Sequence, residues 1–208
     1  MDAEPGQRAD VLAASAMMDV RSDVIPTDEL LAEAKSQIWA AYEDYTNTVS
    51  EKGMAIGLRS AAFIYVLCDT LKPARMVDFG SGFTSYVLRL FPGTVVSVDD
   101  SPEWLDKTRD FLARHDMPTD GLVLIDDFKP ARFDFIVYDY AGGDTRDRKY
   151  GWVTDMLEDG GVIYYDDAHH DSHRAHMHSA CAARQMNLFG LVEATKDDYG
   201  RYGAVGCR

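Results

Sequence analysis

From residue 75 onward, short apolar runs alternate with amphipathic helical stretches, and this alternation limits the chain to few folds. "RMVDF", "TVVSVDD", "GLVLID", "FDFIVYDY" and "GVIYYDD" read as five strands, each too continuously apolar to have a solvated face. Between them lie "SPEWLDKTRDFLARH", with Ser101 as N-cap and Pro102 in the first turn, and "RDRKYGWVTDMLED", expected to be helical although Gly151 weakens it. A further helix is expected over residues 170–186. "LFGLVEATK" and "RYGAVGCR", joined by "DDYG", read as a closing antiparallel hairpin. Strands linked through helices pair in parallel, so the pattern predicts an α/β fold with helices on both faces of the sheet. Only about eight residues, Asp127 to Asp134, join the third strand to the fourth. That is too few for a helix but enough to cross the sheet in extended form.

Ahead of this region, residues 1–25 carry weak periodicity and are expected to be partly flexible. Residues 26–73 read as two helices. The first follows Thr27 and places Leu30, Ala34, Ile38, Ala41 and Tyr45 on one face. The second, about Leu58 to Leu71, is apolar nearly all round and stops at Pro73. These helices are expected to cap the ligand side of residues 74–208, with Tyr42, Tyr45 and Tyr65 in the core. The 208 residues suit one domain.

Net charge narrows the partners. At −14, with no cluster of Lys and Arg, the chain is a poor match for nucleic acid or an anionic membrane, and a small molecule is the better partner. Homo-oligomerisation is left open. Cys68, Cys181 and Cys207 form no C-x-x-C pair, and "MDAEPGQRAD" lacks the basic and apolar regions of a signal peptide; both fit a cytoplasmic protein.

The sharpest motif is "VDFGSGFTS", residues 77–85. Gly80 and Gly82 stand where a strand turns into a helix and let backbone approach a ligand. A dinucleotide site asks for a third glycine where this chain has Ser85, and Asp78 would repel a pyrophosphate while suiting an ammonium. About twenty residues further on, Asp99 ends the second strand, where a carboxylate can accept both hydroxyls of a ribose.

These residues resemble the class I S-adenosylmethionine-dependent methyltransferases. Asp78, Gly80 and Gly82 match the first motif, with Thr84 where the family often has another glycine, and Asp99 in "VDDSPEWL" matches the ribose-binding acid. The likeness covers roughly residues 75–208. It implies a Rossmann-like seven-stranded sheet, mostly parallel with an antiparallel last strand. It also implies S-adenosylmethionine as cofactor and an adenine-contacting acid at Asp126 or Asp127.

"GGVIYYDDAHHDSH" raises a separate question. Asp166 and Asp167 end the fifth strand beside the end of the fourth, where Asp139 stands. Three carboxylates on one rim repel one another unless a cation joins them, and an oxygen-only set suits Mg²⁺. The arrangement is similar to that of metal-dependent O-methyltransferases of the catechol and macrocin types. The likeness implies Asp139, Asp166 and Asp167 as metal ligands, with Asp139 also part of the catalytic set. A base would come from His169 or His170, and the acceptor would be a small hydroxylated metabolite. Tyr150 and Trp152 could wall a ring, and Arg146 or Arg148 could meet a negative group. His169, His173 and His176 have a spacing that can bind a transition metal on a helix. The competing readings are a metal-independent N- or O-methyltransferase with a histidine base, a cofactor-binding partner protein without catalysis, and a nicotinamide oxidoreductase.

Overall fold

The computed structural model describes residues 25–140 and 143–208, so the flexibility expected of the N-terminus falls, up to residue 24, outside the described residues. Helix α1 spans Asp28–Thr48, where the Thr27 hydroxyl accepts the Leu30 N–H and Asp28 and Glu29 sit in the first turn. Its buried stripe is Leu31, Ala34, Ile38, Ala41, Tyr42 and Tyr45. The expected Leu30 is 46% exposed. At 100° per residue it falls about 70° from the centre of that stripe, and Leu31 takes its place. Helix α2, Leu58–Leu71, is buried on most sides and ends at Lys72, which turns left-handed (φ 49°) ahead of Pro73.

The alternating part follows as β1 (Arg75–Phe79), α3 (Phe83–Arg89), β2 (Thr94–Asp99), α4 (Pro102–Arg114), β3 (Leu122–Leu124) and β4 (Phe133–Tyr138). It continues as α5 (Gly143–Asp147), α6 (Tyr150–Thr154), β5 (Leu157–Tyr165), α7 (Asp171–Ala182), β6 (Asn187–Gly190), α8 (Val192–Thr195) and β7 (Ala204–Cys207). The seven strands are ordered β3-β2-β1-β4-β5-β7-β6, with β7 antiparallel to both neighbours and the β1–β5 pairings all parallel. As expected, β3 reaches β4 without a helix; Phe128 in that link packs against Phe79 and Phe133.

Alternate residues of each strand feed two cores. Phe135, Val137, Val162 and Tyr164 face α1 to α4, while Ile136, Tyr138, Ile163 and Tyr165 face α6 and α7. All three cysteines are buried. Among the described residues, no helix is long and apolar enough to cross a membrane.

Three expected elements come out shorter or divided. "RDRKYGWVTDMLED" forms the two short helices α5 and α6, and its last residues already belong to β5. The early change to strand follows from pairing: Met156 O accepts the Phe133 N–H, and Leu157 pairs with Phe133, so the backbone is taken into the sheet there. Residues 158–161 then bulge out before Val162 pairs with Phe135. "LFGLVEATK" is strand only to Gly190. The Thr195 hydroxyl donates to Leu191 O and accepts the Gly203 N–H, closing a helical turn between β6 and β7. The helix expected to reach residue 186 ends at Ala182, and Gln185 turns left-handed (φ 54°) ahead of β6.

Candidate active site

The carboxyl ends of β1, β2, β4 and β5 surround a cleft of about 420 Å³, roofed by residues 50–56 between α1 and α2. This is where an open parallel sheet presents its ligand site. The glycine turn forms one wall. Gly80 has φ +97°, and a Cβ there would lie 2.1 Å from the Asp139 carbonyl oxygen, because Asp139 N–H donates to Phe79 O and draws β4 against the turn. A Cβ on Gly82 would lie 2.8 Å from the Tyr45 hydroxyl.

Asp78 is placed behind this wall, not in the cleft. It is fully buried; Oδ1 accepts the Thr84 hydroxyl at 2.8 Å and Oδ2 the Ser85 hydroxyl at 2.6 Å. Ser85 Oγ in turn accepts the Gly82 N–H. Burial pushes the Asp78 carboxyl up to about 7, against the lowering pull of Ser85 and Thr84. The expected direct contact with a ligand's ammonium is therefore replaced by an internal brace of the turn. It also explains Thr84 and Ser85: where glycines would leave a buried carboxylate without donors, these hydroxyls satisfy it.

Asp99 does line the cleft. Its Oδ2 accepts Ser81 N–H at 2.8 Å and Ser81 Oγ–H at 2.9 Å, and its Oδ1 accepts Ser101 N–H at 2.9 Å. Burial raises its pKa while the Ser101 and Ser81 bonds hold it down. Asp126 and Asp127 stand exposed on the turn after β3 and are not among the lining residues.

At the other end of the cleft Asp139, Asp166 and Asp167 come together as expected, with ligand oxygens within 4.8 Å of one another. The compensating cation that their proximity demands is Arg146 of α5, only 3% exposed. It donates to Asp167 Oδ2 at 2.8 Å and Asp139 Oδ1 at 3.0 Å, and Tyr138 OH donates back to the Arg146 carbonyl at 2.8 Å. Burial alone would depress the guanidinium pKa, but Asp139 and Asp167 hold it above the ordinary range. Arg146 is thus an internal partner, not a reader of anions. Its signal in the sequence was its place seven residues after Asp139, beside carboxylates that lacked a counter-charge.

One guanidinium does not balance three carboxylates. Burial, then Asp166, keeps Asp139 well above the usual carboxylate range, and burial, then Asp167, raises Asp166 to about 6. Fully ionised, the trio would outweigh Arg146 by two negative charges, which a divalent cation would cancel. An all-oxygen donor set of that net charge fits Mg²⁺. Asp167 holds φ +58°, a left-handed conformation that Asp tolerates better than most residues, and this aims its carboxylate at Arg146.

His169 and His170 line the cleft beside the trio, with His169 Nδ1 3.6 Å from Asp167 Oδ1. Burial lowers the His169 pKa, so the ring is neutral at neutral pH. His173 and His176 turn away to Asp147, at 3.7 and 3.8 Å. His169 precedes α7, so the three histidines do not share a helix face. Among the described residues, the aspartate trio is the one metal-type cluster that closes. The aromatic wall expected of Tyr150 and Trp152 is absent from the cleft. Tyr150 is 1% exposed among Tyr138 and Tyr165, and Trp152 packs on Phe79 and Phe128. Arg148 lies outside the lining as well. The turn "TKDDYGRYG", which the sequence suggests for the same rim, does reach it through Arg201. This residue pairs with Asp197 and donates to Gly53 O at 2.9 Å and Lys52 O at 3.2 Å, tying the roof to the β6–β7 connection.

No protein-family model matches the sequence, and no curated protein matches it. Solved structures do. The O-methyltransferase from Bacillus cereus, in complex with SAH, superposes with a TM-score of 0.53 at 17% identity over 94% of this chain and 96% of that one. TomG from Streptomyces achromogenes, an O-methyltransferase of tomaymycin synthesis in complex with SAM, gives 0.57 at 16% over 92% and 93%. The T. thermophilus 16S rRNA methyltransferase RsmC gives 0.52 at 15% over 71% and 43%. The chain therefore has the Rossmann-like fold of these proteins, as its strand pattern and first motif led one to expect.

Proposed function

We propose that the protein is an S-adenosylmethionine-dependent methyltransferase that methylates a hydroxyl of a small metabolite with the help of a divalent cation. The observation that carries this reading is one cleft with two differently equipped ends. At one end the glycine turn and Asp99 suit a nucleoside. At the other, Asp139, Asp166 and Asp167 form an oxygen-only set, incompletely balanced by Arg146, that suits a metal ion. The two O-methyltransferases sharing the fold support it. RsmC shows that RNA acceptors also occur on this fold, but a chain of net charge −14 is poorly suited to a polyanion.

When bound, the donor supplies a methyl made electrophilic by its sulfonium, and a Mg²⁺ ion on the trio would lower the pKa of an acceptor hydroxyl. The chain's own groups do the rest. Asp99, whose Oδ2 is already taken by two Ser81 bonds, would accept one ribose hydroxyl at the lone pair of Oδ1 not used by Ser101. Arg146 fixes one oxygen each of Asp139 and Asp167, which leaves their other oxygens to a metal. His169 or His170 takes the acceptor proton, and His169 is better placed through Asp167. The roof excludes water.

Calorimetry with S-adenosylhomocysteine, followed by methyl transfer to a panel of hydroxylated acceptors with Mg²⁺ or with chelator, tests both halves. Asp99→Ala is expected to abolish homocysteine-nucleoside binding. Asp139→Asn and Asp167→Asn are expected to keep it and lose at least about 100-fold in kcat. Full activity after exhaustive chelation would remove the metal and leave the histidine-base methyltransferase. Donor binding with no transfer to any acceptor would favour the non-catalytic binding protein.

A further inference from the structure

Tyr45 belongs to α1, outside the sheet, and its ring is core: 3% exposed, edge-on to Phe111 at 5.0 Å and beside Phe83 at 5.6 Å. Its hydroxyl, however, is cleft wall, standing against the glycine turn where any Cβ on Gly82 would strike it at 2.8 Å. Tyr42, one helical turn earlier, shows the ordinary arrangement, with its hydroxyl donated to Ile56 O at 3.0 Å. Tyr45 differs. Its hydroxyl stands at the cleft and, among the described residues, gives its proton to no backbone carbonyl of the kind that Ile56 supplies to Tyr42.

The carboxylates around it are already served. Asp78 accepts from Thr84 and Ser85, Asp99 from Ser81 and Ser101, and Asp139 from Arg146. Among the described residues none takes the Tyr45 proton in a hydrogen bond, and the hydroxyl is aimed into the gap left by a residue without a side chain. A nucleoside whose sugar sits at Asp99 must send its other polar end past Ser81 and Gly82 to bring its methyl to the aspartate trio. That end carries a carboxylate, which needs donors in a cleft lined by aspartates.

We infer that the Tyr45 hydroxyl is a donor-positioning group, giving its proton to the α-carboxylate of the S-adenosylmethionine amino-acid end; this rests on the function proposed above. The N-terminal cap is then part of the cofactor site and not only its cover. Gly82 and Tyr45 act as a pair, the glycine supplying room and the tyrosine the hydrogen bond.

Tyr45→Phe removes the one atom and keeps the ring packing. Titration calorimetry should use two ligands, S-adenosylhomocysteine and 5′-methylthioadenosine, the second lacking the amino acid. The variant is expected to bind the first about ten-fold more weakly or worse, as befits a lost bond to a charged acceptor, and the second within two-fold of wild type. In turnover the KM for the donor rises while kcat changes less. Unchanged homocysteine-nucleoside affinity overturns the inference, and so does equal loss for both ligands, which would mean the hydroxyl only shapes the turn. If the wild type binds neither, the donor reading itself falls; binding by wild type with an insensitive variant sinks the Tyr45 role alone. A melting temperature within a few degrees of wild type certifies that the variant is folded.

Discussion

Arg146 tolerates near-complete burial because both terminal nitrogens of its fork meet acceptors, Nη1 at Asp167 and Nη2 at Asp139 and the Tyr138 carbonyl, and the same contacts predict its cost of removal. Arg146→Met leaves Asp139 and Asp167 without their counter-charge in a half-buried rim, so a loss of about 3–5 kcal/mol is expected in urea melts at pH 8. Arg146→Lys should restore only part, since one ammonium does not span both aspartates as a fork does. A wild-type melt in the Met variant would refute the pairing. Asp78 makes a second prediction at this scale. Its folded pKa of about 7 lies above the unfolded carboxylate value of about 4. The raised acid favours the native state when protonated, so its contribution is full below pH 4 and is lost as the pH climbs to 7. Asp78→Asn should therefore flatten the decline of melting temperature between pH 4 and 7. An unchanged slope would mean that Asp78 does not titrate there.

At the scale of elements, the site is assembled by connections more than by strands. The roof over the cleft has no regular structure of its own and is held by Arg201, whose guanidinium joins Asp197 to the carbonyls of Lys52 and Gly53. Arg201→Ala is expected to speed amide exchange over residues 50–57 by ten-fold or more, to raise the KM for the donor, and to leave the sheet's protection unchanged. Exchange rates equal to wild type would show that the roof holds itself. Sequence periodicity located the helices that flank this roof. It gave no sign of the latch, because Arg201 and Gly53 are distant along the chain and only the return of β7 beside β5 brings them together. Leu30 against Leu31 and the early end of α6 were missed for a related reason. A stripe edge or a weak helix is decided by what packs or pairs against it, as Met156 and Leu157 are by β4.

For the whole molecule, the two strands last in the chain complete the sheet in inverted order, so that β7 fills the space between β5 and β6. Removing residues 201–208 would expose the edge of β5, strip the cover from Tyr164 and Tyr165, and detach β6. Such a truncation is expected to yield no soluble monomer by gel filtration; a folded, monomeric product would contradict the role given to β7. The sequence by itself determined the alternating layers, the glycine turn, Asp99 and the three rim aspartates, because strand and helix periods, turn chemistry and residue type are local quantities. Tertiary structure alone decided which way each side chain serves. Asp78 turns inward to brace the loop, Arg146 inward to neutralise the rim, and Tyr45 inward with only its hydroxyl at the cleft. Burial and partner identity depend on contacts between segments far apart in the chain, and no local pattern encodes them.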